Sequence, residues 1–110
     1  MQMVVTLRER KQAKVAAMWA SWEELRPTLI SIGQQYGGRF LLFGSAARDQ
    51  LRPDSDFDVL LDFPAKTERD AFFAAERAAT DLGVAVDLVE LNGLREAFRS
   101  RVLVEAKVIA

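Results

Sequence analysis

Residues 39–63 read R-F-L-L-F-G-S-A-A-R-D-Q-L-R-P-D-S-D-F-D-V-L-L-D-F, and their pattern decides how the rest of the chain is read. Arg39–Phe43 is a short apolar run of the kind that forms a buried strand. Gly44-Ser45 ends it, and a helical turn or short helix is expected from Ala46 to about Gln50. Pro53-Asp54-Ser55 is turn chemistry. From Asp56 the chain alternates: Asp56, Asp58, Leu60 and Asp62 fall on one side, Phe57, Val59, Leu61 and Phe63 on the other. A period of two predicts a strand with one apolar and one acidic face, and Pro64 stops it.

Upstream, Val15, Met18, Trp22, Leu25, Leu29 and Ile32 recur at three- and four-residue intervals, which places all six on one helix face. Pro27 interrupts that pattern and predicts either a break near Arg26 or a second helix starting at Pro27. Gly37-Gly38 closes the helical region. Downstream, Thr67-Glu68-Arg69-Asp70 reads as an N-cap with a variant capping box, opening a helix to Leu82 with Gly83 as its C-cap. Val84–Glu90 reads as a third strand with Asp87 in its middle. Asn92 is placed to cap a last helix from Gly93 or Leu94, which gives way to a final strand somewhere within residues 102–109. The sum is a single domain over residues 1–110, α+β or mixed α/β in class.

With 110 residues, half of them hydrophobic and 28% charged, the chain has the composition of an ordinary globular domain. A net charge of −1 excludes a strongly basic nucleic-acid wrapper and leaves no electrostatic footprint for DNA. The absence of cysteine excludes disulfide scaffolds, thiol catalysis and thiolate zinc sites. There is no histidine, so a general base must be a carboxylate, a Lys or a Tyr. No apolar run reaches the roughly 18 residues of a membrane span, and the first charges follow rather than precede the short apolar N-terminal stretch, the wrong order for a signal peptide. A cytoplasmic protein with no membrane partner is expected. Arg8, Arg10, Lys11 and Lys14 against Glu9 leave a small local positive excess, read as a solvated helix face or a partner contact.

Three features carry chemistry. Gly44-Ser45, between a strand and a helical turn, would let a phosphate approach the backbone; the plain alternative is a turn with an N-cap. Asp56 and Asp58 project from the same face of a strand, where like charges raise each other's pKa unless a cation lies between them. Mg²⁺ suits such a pair together with substrate phosphates; the alternative is a solvated acidic face. Asp87 is a charge inside an apolar run, and beside the strand of Asp56 and Asp58 it would make a third carboxylate at one point. Glu90, on the opposite face from Asp87, and Asp62, farther along its strand, are peripheral. A calcium loop beginning at Asp54 fails, because Val59 and Ala65 stand where Gly and Glu are required. No Gly-Lys-Ser/Thr is present, so a Walker phosphate loop fails as well.

Taken together, Gly44-Ser45, ten intervening residues and Asp56-Phe57-Asp58 resemble the signature of the minimal nucleotidyltransferases, small members of the DNA polymerase β-like nucleotidyltransferase superfamily. The resemblance runs from about Glu24 to the C-terminus, with residues 1–23 as a helical extension and 24–110 as the catalytic core. It implies a palm-like mixed β-sheet packed against helices. It further implies that Asp56, Asp58 and Asp87 ligate Mg²⁺, two ions in all, with Asp87 also helping to activate the attacking hydroxyl. Gly44 and Ser45 would hold the triphosphate of ATP, with Arg48 and Ser55 at further nucleotide-site positions. The implied reaction moves AMP from ATP onto a hydroxyl and releases pyrophosphate. So short a chain needs its acceptor held by another chain or a second copy. Minimal nucleotidyltransferases are commonly encoded beside a small helical HEPN toxin, which implies an antitoxin that adenylylates a toxin tyrosine. Trp19 and Trp22 are read either as contacts to that partner or as packing on the chain's own sheet. Two further readings stay open: a non-catalytic antitoxin acting by occlusion, and a nucleotidyltransferase with a small-molecule or RNA acceptor.

Overall fold

Thr6 caps helix α1, Leu7–Tyr36: its Oγ1 accepts a hydrogen bond from the Glu9 amide at 3.1 Å. The structure, a computed structural model, describes residues 6–110, so the first five residues of the N-terminal extension lie outside it. α1 runs unbroken through Pro27, against the expected break. Pro27 faces solvent, where its missing amide costs least, whereas Trp22, Leu25, Leu29 and Ile32 on either side of it form one buried stripe. A kink would tear that stripe from the sheet, and packing outweighs the local preference.

Gly37, in the left-handed region, ends α1 and leads into β1, Arg39–Phe43. A short helix α2, Gly44–Ala47, and an irregular stretch follow before β2, Phe57–Asp62. α3, Ala65–Asp81, crosses to β3, Val86–Glu90; a single 3₁₀ turn, Leu91–Gly93, precedes α4, Glu96–Glu105, and β4, Lys107–Val108. The sheet order is β3-β2-β1-β4, antiparallel at β1–β2 and β1–β4 and parallel at β2–β3. A mixed sheet with helices is therefore the architecture, as the sequence predicts.

The two faces of β2 are covered differently. Phe57, Val59, Leu61 and Phe63 join the stripe of α1 and the alanines of α3 in the main core. Trp22 stacks on Phe57 at 4.7 Å and Trp19 meets the same ring edge-on at 5.2 Å, so both indoles pack on the chain's own sheet. On the other face Leu60 is fully buried with Leu41, Leu91 and Val102 in a second, smaller core under α4. The face expected to be acidic is thus acidic only at its ends, Asp58 and Asp62, and apolar in the middle.

Three local readings are corrected. α3 starts at Ala65, and Thr67 is no N-cap: its Oγ1 donates to the Tyr36 carbonyl at 2.8 Å and pins α1 to α3. Asn92 does not cap α4, which begins at Glu96; its amide donates instead to the Phe63 carbonyl and the Glu68 carboxylate. Asp87 is not buried among apolar neighbours, because β3 is an edge strand and that residue faces solvent.

Candidate active site

The end of β1, the start of β2 and the start of β3 meet at one corner of the sheet. Phe43 pairs with Asp58 across the antiparallel ladder, and Asp58 pairs with Asp87 across the parallel one. Side chains of directly paired residues project from the same face, so Asp58 and Asp87 stand side by side. Asp56 is one residue ahead of β2 and exposed.

Gly44 makes this corner possible. Its φ is +69°, and a Cβ built there would lie 2.2 Å from Oδ2 of Asp58. A side chain would be both strained and in collision with the carboxylate. The chain turns here directly into α2, carrying Ser45 on its first turn, and is closed behind by the Gln50 amide donating to the Ser45 carbonyl at 2.8 Å. Ser55 closes the turn over Pro53-Asp54 that leads into β2, where its Oγ accepts from the Arg52 amide at 3.1 Å.

Electrostatics single out Asp58. Its half-buried carboxyl is held above the usual range, first by loss of water and then by the like charges of Asp87 and Asp56; Arg48 opposes them. Arg48 is engaged elsewhere, its guanidinium 3.2 Å from Glu105 at the end of α4. Among the described residues none of the three aspartates takes part in an ion pair, and none accepts a side-chain hydrogen bond. Nor, among those residues, do three carboxylates gather closely enough to hold a metal ion by themselves, so Asp56, Asp58 and Asp87 do not form a ready-made three-ligand site. Two or three crowded oxygens beside a glycine corner, open on one side, form the donor set that Mg²⁺ takes when substrate phosphates complete its shell. The residues present fit such an ion.

A cavity of about 360 Å³ lies beside this corner, between α1 and the starts of β2 and β3, lined by Lys14, Met18, Ser55, Asp56 and Val84 among others. Asp58 and Asp87 are outside it, so the cavity and the carboxylate corner touch only at Asp56.

A second acidic cluster forms around Glu68. Glu68 on α3 is buried, with Asn92 Nδ2 at 2.6 Å from its Oε2. Burial and the neighbouring Glu90 carboxyl raise its pKa, which Asn92 opposes. A signal exists in the sequence: Glu68, Ala71, Ala75 and Ala79 share one helical stripe, and all four are buried. A charge on an apolar stripe needs a partner.

The family model of the nucleotidyltransferase domain matches residues 23–110. The chain belongs to this family. A solved structure described as a candidate minimal nucleotidyltransferase is 30% identical, over 83% of this chain and 93% of its own, with a TM-score of 0.66. That similarity places the present nucleotidyltransferase among the minimal members. Two toxin–antitoxin structures share the fold: one with AMP-PNP (22% identity, 77% of this chain and 72% of the other, TM-score 0.58), and one a MntA–HpeT mutant with two Asp→Glu changes (20%, 77% and 71%, TM-score 0.55). No curated protein matches the chain.

Proposed function

We propose that this nucleotidyltransferase moves AMP from ATP onto a hydroxyl of a partner protein, a tyrosine of a HEPN-type toxin, and thereby acts as its antitoxin in the cytoplasm. One observation carries the reading: Asp58 stands beside Asp87 in strand register while its carboxylate lies against the Cα of Gly44. That arrangement sets crowded acids directly beside the glycine corner that joins β1 to α2. The toxin–antitoxin structures with the same fold, one of them holding an ATP analogue, support the choice of nucleotide and partner.

In this reading Asp56 and Asp58, with Asp87, would hold Mg²⁺, which when bound neutralises charge on the phosphates and on the departing pyrophosphate. Gly44 and Ser45 receive the triphosphate through backbone amides and the serine hydroxyl. Arg48 can swing from exposed Glu105 to a phosphate, and Ser55 fixes the turn that aims Asp56. Asp87, exposed at the sheet edge, accepts the proton of the attacking hydroxyl. The hydroxyl oxygen forms the new bond to the α-phosphorus, and the bond to the β,γ-pyrophosphate breaks in line. Positioning and electrostatics suffice, which suits a chain without His or Cys.

The test is intact-mass spectrometry of the neighbouring gene's product after incubation with this protein, ATP and Mg²⁺. A gain in AMP units that vanishes with Asp56→Asn/Asp58→Asn is expected. A toxin neutralised without any mass gain would sink the reading and leave occlusion in its place.

A further inference from the structure

We propose that the N-terminal half of α1 and the turn at residues 52–56 form a docking site for an acidic segment of the protein acceptor; this rests on the reading that the acceptor is a protein. At 1.5 Å per residue the 30-residue α1 is about 45 Å long, roughly twice the length of a six-residue strand. Residues 7–14 are all exposed, and the family match begins only at residue 23. The overhang is therefore not needed to build the sheet that carries the carboxylates.

It nevertheless approaches them. The cavity that ends on Asp56 adjoins a second one of about 540 Å³, lined by Lys11, Lys14, Arg52, Pro53 and Asp54. Lys14, Pro53 and Asp54 line both. Lys11 and Lys14 are three residues apart and so share a helix face. Among the described residues, the ion pairs are Arg26–Glu23, Arg39–Asp62 and Arg48–Glu105, so Lys11, Lys14 and Arg52 are in none of them. In a chain of net charge −1, three uncommitted cations in one cleft are a local reversal of sign, open to an anion.

The lining favours peptide over nucleic acid. Asp54 lies among the cations and would repel a continuous run of phosphates, while Ala17, Met18 and Val84 make an apolar wall. One or two carboxylates flanking an apolar side chain satisfy both halves of the cleft. A peptide held there runs toward Asp56, which brings a neighbouring hydroxyl to the carboxylate corner.

The experiment is fluorescence anisotropy on the full chain with a short labelled peptide of Glu, Leu and Tyr, in parallel with single-stranded RNA of equal charge. Saturable peptide binding is expected, about tenfold weaker in Lys11→Glu/Lys14→Glu and unchanged in the charge-matched control Arg69→Glu/Arg77→Glu on α3. All four positions are exposed, and thermal melts check that the variants fold. No saturable peptide binding, tighter binding of the RNA, or equal losses in both double variants would overturn the proposal. Asp87→Asn, outside both cavities, separates the two readings. Peptide binding retained by wild type and this variant, with no AMP transfer by either, would sink the transfer reading alone. Transfer by the wild type without peptide binding would sink the docking site alone.

Discussion

Glu68 is pressed toward Glu90 beneath the end of β3, and Asp58 is pressed toward Asp87 at its start, yet the two crowded pairs are resolved in opposite ways. Around Glu68 the protein closes up: the residue is buried, and the Asn92 amide donates to its carboxylate while also donating to the Phe63 carbonyl at 2.9 Å. Around Asp58 it stays open, with a glycine Cα on one side and, among the described residues, no side-chain hydrogen bond or ion pair to the carboxylate. Burial and a like charge raise both acids. Two crowded carboxyls supplied with an amide donor are tied into the fold; two left without one, at an accessible corner, have the charge and exposure that suit a cation.

The largest effect that separates the pairs is on transfer. Asp58→Asn is expected to lower AMP transfer on the order of a thousandfold or more without loss of thermal stability, since it relieves repulsion rather than packing. Glu68→Gln is expected to leave transfer near wild type. Equal losses in nucleotide incorporation would erase the distinction. Gly44→Ala comes next: a φ of +69° and a Cβ 2.2 Å from Oδ2 of Asp58 predict about 2 kcal/mol of destabilisation in chemical denaturation, with transfer lost as well.

A smaller effect concerns the ion alone. Millimolar Mg²⁺ is expected to raise the melting temperature by about 2–4 °C in wild type and in Glu68→Gln, but not in Asp58→Asn. A rise that survives Asp58→Asn would place the cation elsewhere. The smallest effect is on pH. Because the folded chain holds a proton on Glu68 and on Asp58 more tightly than the unfolded chain does, both contribute stability that is present at acid pH and lost as pH rises through their raised values. Glu68→Gln should flatten that decline in a pH series of denaturation curves. An unchanged slope would mean that Glu68 is not the titrating group.

Much of this corner is legible in the sequence, for local reasons. Residues 39–63 show strand, glycine, turn and strand because a period of two survives in the apolar residues of β2 and because Gly44 stands where the chain must reverse. Other features depend on neighbours far along the chain. Pro27 argues locally for a break, and only the buried stripe on both sides of it explains why the helix continues. Leu60 looks like a member of an acidic face until Leu91 and Val102 arrive to cover it. Thr67 and Asn92 have capping chemistry, but their hydrogen bonds go to Tyr36, Phe63 and Glu68, partners that spacing alone does not reveal. α4 starts at Glu96 rather than at Gly93 or Leu94, and its apolar residues form no single stripe that would mark its bounds: Val102 is buried while Phe98 and Val104 are exposed. Asp87 stands inside an apolar run in the sequence, yet it is exposed at a sheet edge, and what links it to Asp58 is register rather than burial.

On the proposed function, nucleotide and metal bind at the open corner and not in the closed cluster or the cavity beside it. A crystal structure of the chain with Mg²⁺ and a non-hydrolysable ATP analogue tests this most directly. Phosphates against Gly44 and Ser45, with Mg²⁺ between them and Asp56 and Asp58, is the result predicted. Nucleotide bound away from Gly44 and Ser45, or Mg²⁺ on Glu68 and Glu90, would overturn that assignment.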